Sequence, residues 1–319
     1  MTFRNRCLLY RCFHSTLLLT AWMVLTACAG PELADQKNDM TTLSMSELDS
    51  GNLLYRKGCY HQSLTHFFRA FELFTLSDRL EGVAMCLNNI GNVYNSLDNV
   101  ETALMFYDEA YTTYITLNDM KGAIHALTNK ASSLITHNRL SRAETVMTEA
   151  ERISAQARIS FPQLIINSGI LLTKKQEFQK AEQVLRQAVT AIDSENTPAF
   201  ASAHFALGTL MMKTARHAES LPFFHQALRA DQKAHFQQGI AEDLLSIGDA
   251  MVFIEKQKEA ISYYKRSLLI YALINRQEKK EELLKKLEVI SQKGTSDLSI
   301  VHFFLDQWGK DNYGDAVCN

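Results

Sequence analysis

The stretch that decides the fold is GNVYNSLDNVETALMFYDEA, residues 91–110. Gly91 is followed three positions on by Tyr94, and Ala103, Tyr107 and Ala110 come later at spacings of four and three. Those spacings place side chains on one face of an α-helix. A small residue lets two helix backbones approach where they cross, and a large neighbour fills the space beside the crossing. The stretch therefore reads as a helix ending, a turn, and a second helix packed antiparallel on the first. Asp98-Asn99-Val100-Glu101 reads as a capping box that opens the second helix.

The same order recurs on both sides. Small residues stand at Gly51, Gly91, Ala131, Gly169, Gly208 and Gly248, at intervals of 40, 40, 38, 39 and 40. Three positions after each come Leu54, Tyr94, Leu134, Leu172, Met211 and Met251. The second helix carries Ser63, Ala103, Ala143, Ala181, Ser220 and Ala260, then Phe67, Tyr107, Met147, Leu185, Phe224 and Tyr264. It closes with Ala70, Ala110, Ala150, Ala188, Ala227 and Ser267. Composition agrees with a helical chain: 319 residues, 46% hydrophobic, hold only 13 Gly and 4 Pro. A chain that repeats a small unit builds its core between neighbouring units, so length does not count its domains.

This pattern resembles the tetratricopeptide repeat, over about 230 residues of the chain. The resemblance implies an all-α fold, a right-handed α-α superhelix whose first helices line a concave groove, with residues 46–275 as six repeats. The period departs from the family's usual ~34 residues. The family's usual proline after the second helix is also absent: Thr75, Ile115, Ala155, Asp193, Gln232 and Ala272 stand there. Both departures follow from helices nearly a turn longer, which a proline would interrupt. Pro162 and Pro198 mark the expected starts of first helices, while Pro222 falls about one turn inside a second helix. Residues 276–319 read as a cap. Leu283, Leu284, Leu287 and Ile290 form an apolar stripe on a charged helix, and Leu298 to Trp308 packs as another short helix.

The amino terminus reads as an address. Residues 1–27 carry Arg4, Arg6 and Arg11 with no acidic residue, and a short uncharged apolar run ends in Thr26 and Ala27. That is the layout of a cleaved signal peptide. Leu25-Thr26-Ala27-Cys28 resembles the lipobox of bacterial lipoproteins, which implies lipidation of Cys28 and an anchored mature chain. With Ala29 after the cysteine, the sorting rule of that family implies the outer membrane, facing the periplasm. Residues 28–45 read as the lipidated cysteine and a flexible tether.

No catalytic constellation is visible. The closest histidines, His61 and His66, are five apart, not the four that would stack both rings on one helix face. No phosphate loop or nucleophile elbow occurs, so the reading is not an enzyme, with no cofactor, no metal and no small-molecule substrate. Cys59 and Cys86 fall near opposite ends of antiparallel helices, and Cys318 has no assigned partner, so no disulfide is expected. Net charge is -2, with 33 basic and 35 acidic residues, and no basic cluster suggests nucleic acid.

What remains is the groove. Positions two before and one after each marker point into it, giving Asn89, Asn129 and Asn167, and Asn52 and Asn92, with Asn95 a turn beyond. An amide offers a donor and an acceptor, matching an extended peptide backbone, although the same amides also suit bonds between neighbouring helices. The expected protein is a lipid-anchored scaffold of the cell envelope that holds an unknown envelope protein or peptide. The alternative is a cytosolic signalling regulator with Cys28 unprocessed.

Overall fold

The structure, a computed structural model, describes residues 32–195, 197–294, 297–310 and 318. The expected signal peptide and the lipidation site Cys28 lie outside the described residues. These hold fourteen α-helices and no strand. Six antiparallel hairpins follow one another: α1 (Glu32–Arg56) with α2 (Tyr60–Leu76), α3 (Leu80–Ser96) with α4 (Val100–Thr116), and α5 (Met120–Thr136) with α6 (Leu140–Ala157). Then come α7 (Pro162–Lys174) with α8 (Phe178–Ala191), α9 (Thr197–Lys213) with α10 (His217–Ala234), and α11 (Gln237–Phe253) with α12 (Gln257–Leu273). The cap helices are α13 (Gln277–Gly294) and α14 (Ser299–Lys310).

The long period comes from a rhythm of twenty. Helices α2 to α5 each have 17 residues and are joined by three-residue turns. The middle turn residue takes the left-handed conformation: Asp78 at φ 52°, Asp98 at 59°, Asn118 at 56°, Asn138 at 58° and Asn275 at 56°. Asn and Asp tolerate that region better than other residues with a side chain. At the turn after α3, the N–H of Asn99 donates to the carbonyl of Tyr94 at 2.9 Å, closing the helix end. This changes the expected cap. Asp98 sits in the left-handed position, and Asn99 is the N-cap, its Oδ1 accepting from the Thr102 N–H at 3.4 Å. Pro222 is tolerated within α10, which starts at His217.

The marker residues sit where the two helices of a hairpin cross. A Cβ on Gly91 would lie 2.7 Å from the Tyr107 ring, on Gly208 2.7 Å from Phe224, and on Gly248 2.5 Å from Tyr264. In each case the large residue is sixteen positions on, and Tyr107, Phe224 and Tyr264 are buried. A second series of contacts joins successive hairpins: Gly82 faces the Phe74 ring and Gly122 the Tyr114 ring. The interior is accordingly a chain of apolar clusters built between neighbours. At the end, Leu283 and Leu287 of α13 and Val301 of α14 close the last cluster against Leu268 and Tyr271. The other side of α14 leaves Ile300 and Phe303 exposed.

Two expectations are corrected. The stretch expected as a tether is helical from Glu32, and Ser44 near its end is fully buried as part of the first hairpin. A disulfide joins Cys59 to Cys318, with Cα atoms 5.5 Å apart across 259 residues of sequence. It exists because the superhelix completes a turn and its ends meet. Tyr55 of α1 stacks on Phe236, just before α11, with centroids 6.2 Å apart. The Tyr60 hydroxyl donates to Gln238, and Arg276 donates to the Ser96 carbonyl and, at 3.1 Å, to Asp98. Cys86 stays free and buried, and burial pushes its thiol up to about 12, so it is unreactive.

Candidate functional site

The first helices of the early repeats line a concave cavity of about 470 Å³. Leu48 and Asn52 come from α1, Met85, Asn88 and Asn89 from α3, and His125 from α5, with Phe161 closing one end. The asparagines stand in pairs that bridge neighbouring repeats. Asn89 Nδ2 donates to Asn52 Oδ1 at 3.3 Å, and Asn129 Nδ2 donates to Asn88 Oδ1 at 3.1 Å. The first pair keeps one amide donor on Asn52 and one amide acceptor on Asn89 without a partner among the described residues. That is the complement of one peptide unit.

The other expected positions divide. Asn92 is held in the hairpin, its Oδ1 accepting from the Tyr107 hydroxyl at 2.8 Å. Asn95 Oδ1 is buried with no hydrogen-bond partner among the described residues. Asn167 is fully buried, and its Nδ2 donates to the Thr128 carbonyl at 2.9 Å while its Oδ1 accepts from Gln163 at 3.1 Å. It joins repeats three and four. The structure thus brings Asn52 and Asn89 to the cavity and leaves Asn92, Asn95, Asn129 and Asn167 off its lining. Asn88, Met85 and His125 were not foreseen. Met85 and His125 occupy one register, six before the marker, which was a readable signal.

Burial, and next the charge of Lys121, lower the His125 pKa, so the ring is neutral at pH 7; it lies 5.7 Å from the Phe161 ring. His66, considered above for a metal, lies with its Nδ1 2.6 Å from Glu47. Beside the amides and the apolar residues the cavity lining carries one acidic and one basic group, Asp119 and Lys121, so its charges balance and no single-sign field selects a charged ligand.

Residues 42–116 match the tetratricopeptide repeat family model. No curated protein matches the sequence. Among solved structures, the fold is similar to the Rap conjugation gene regulator of the plasmid pLS20 in complex with the Phr* peptide. There the TM-score is 0.65 at 16% identity, over 91% of this chain and 78% of that one. It is also similar to a Rap protein complexed with competence and sporulation factor, with a TM-score of 0.56 at 12% identity, over 85% of this chain and 83% of that one.

Proposed function

Because this chain carries tetratricopeptide repeats and folds as their solenoid, we propose that it is a non-enzymatic scaffold that holds an extended peptide of a partner protein in its concave groove. The observation that carries this reading is the Asn52–Asn89 pair, with its free donor and acceptor between Leu48, Met85 and Phe161. Main-chain recognition supplies affinity, and the apolar lining selects side chains. One similar Rap structure is in complex with the Phr* peptide and the other with competence and sporulation factor, which is consistent with a peptide or protein partner here.

The same proposal includes an anchor at Cys28 and residence on the outer membrane, facing the periplasm. The Cys59–Cys318 bond supports an exported chain, since disulfides persist in oxidising compartments and are rare in the cytosol. The second reading, a cytosolic regulator, is favoured by the likeness to Rap and requires Cys28 unprocessed. Fatty-acid labelling of cells, with Cys28→Ser as control, separates the two: label and membrane fractionation lost in the variant support the anchor, and an unlabelled parent chain supports the regulator.

The groove is tested by co-purification from detergent-solubilised membranes. Asn52→Ala with Asn89→Ala should lose the partner while the melting transition stays in place. Retention of the partner by this double variant would refute groove binding.

A further inference from the structure

The junction of repeats five and six departs from every other. The position twenty-three after the marker is Phe74, Tyr114, Ser154, Ile192 and Tyr271 in the other repeats, but Asp231 in the fifth. The position five before the marker is Cys86, Ala126, Leu164 and Ala203 in repeats two to five, but Asp243 in the sixth. Gly239 faces Asp231 just as Gly82 faces Phe74 and Gly122 faces Tyr114. Two carboxyls therefore occupy places that the repeat elsewhere fills mainly with apolar side chains. They are 7% and 1% exposed and lie close enough for each to perturb the other's ionisation. Asp243 Oδ2 is buried and accepts from no N–H or O–H among the described residues.

Beside them lies a cavity of about 290 Å³ with apolar walls, closed on one side by the first repeat. Tyr55, Phe205 and Phe236 form the walls, and the polar edge holds three carboxyls, Asp231, Glu242 and Asp243, against one resident cation, Arg56. A buried carboxylate without a donor is unstable relative to one that meets a cation. No three of the described acidic, histidine or cysteine side chains converge as metal ligands, and the walls are aromatic. Both facts favour an organic cation over a metal ion.

We propose that this cavity binds a cationic group on an apolar stem, a primary ammonium or guanidinium, with Asp243 and Asp231 as counter-ions and Tyr55, Phe205 and Phe236 around the stem. The group is either a lysine or arginine side chain of a partner or a free aliphatic amine, since both present the same chemistry. The site lies at the closure of the superhelix, shares no lining residue with the Asn52–Asn89 cavity, and does not rest on the groove reading.

Protonation couples to binding. Burial first, then neighbouring carboxylates, raise the pKa of both Asp231 and Asp243. Burial raises Glu242, offset in part by the hydrogen bond it accepts from Gln238 and then by the charges of Arg276 and Lys279. Arg56 on α1 lines the same cavity, the Tyr55 hydroxyl is paired with the Ser96 hydroxyl at 3.1 Å, and Tyr271 of α12 senses Asp243. Arg276 is engaged by Asp98 and the Ser96 carbonyl. A bound cation favours the ionised carboxylates, so it displaces a proton and binds more tightly as pH rises from 6 to 8.

The test is calorimetric titration of the purified chain with n-pentylamine, with 1-hexanol as the neutral control, at pH 6 and pH 8. The expected result is binding of the amine, tighter at pH 8 with proton release, and none of the alcohol. Asp243→Asn should weaken the amine at least tenfold while the protein still melts cooperatively. If that variant does not fold, Asp243→Leu replaces it, since leucine is the residue at this register in repeat four. An acetylated, amidated Gly-Lys-Gly peptide tells the sources apart: binding as tight as the free amine points to a partner's lysine, and binding of the amine alone to a small metabolite. Equal binding of amine and alcohol, no binding of either cation, or an amine affinity unchanged by both Asp243 variants would overturn the site. Asn52→Ala with Asn89→Ala should leave amine binding unaltered, so failure of the groove and failure of this cavity are read independently.

Discussion

The junction between repeats one and two and the junction between repeats five and six are the same backbone arrangement filled in opposite ways. At the first, the Phe74 ring lies on Gly82 and Cys86 packs beside it, and all three are buried. At the other, Asp231 lies on Gly239 and Asp243 stands where Cys86 stands. The first junction maximises dispersion and area removed from water. The second gives up that gain and encloses two carboxyl groups in low dielectric, where ionising them is costly, an arrangement that weakens the empty protein as pH rises. Solenoid stability is nearly a sum of local interfaces, so a chain of six repeats can keep one weak junction while its neighbours hold the fold.

The comparison breaks most clearly by exchange. Phe74→Asp would put a lone carboxylate against Gly82 and remove a buried ring, with an expected loss of about 4 kcal/mol in chemical denaturation. A loss below about 1 kcal/mol would mean that the first junction is no tighter than the fifth. Asp231→Phe should do the reverse, raising stability by about 1 kcal/mol and abolishing amine binding.

Titration sharpens it further. Asp231 and Asp243 have folded values raised above the unfolded one by burial, so the protein is unpenalised below about pH 4 and loses stability as pH rises through the folded values. The melting temperature of Asp243→Asn should therefore exceed that of the parent by more at pH 8 than at pH 5, by a few degrees. A difference independent of pH would show that neither carboxyl is buried as described. The smallest effect belongs to the groove: Asn52→Ala with Asn89→Ala should shift stability by no more than about 0.5 kcal/mol, since both are half-buried and bond mainly each other.

The repeats were legible because close helix packing forces a small residue at Gly91 and a large one at Tyr107, and that demand recurs about every 40 residues. The turns were less so. Capping logic put Asp98 at the N-cap, whereas the left-handed turn claims it and passes the cap to Asn99. Among the asparagines, register alone could not separate Asn89, which lines the cavity, from Asn167, which the next repeat buries. The closure was not legible at all. Periodicity describes how one hairpin follows another and says nothing of how far the turn progresses, so the meeting of Cys59 with Cys318 had no local signal. Asp231 and Asp243 did have one. Each breaks an otherwise largely apolar column of the repeat alignment, a sign visible without coordinates.

The covalent tie between Cys59 and the tail has a mechanical consequence. An open helical stack yields like a spring, widening or narrowing its bore to suit what enters. Here the two extremities are fastened, with Tyr55, Tyr60 and Arg276 reinforcing the seam, and the bore keeps one calibre. A guest must then fit the radius it finds and thread along the axis, and thiol reduction is the operation that would restore the spring.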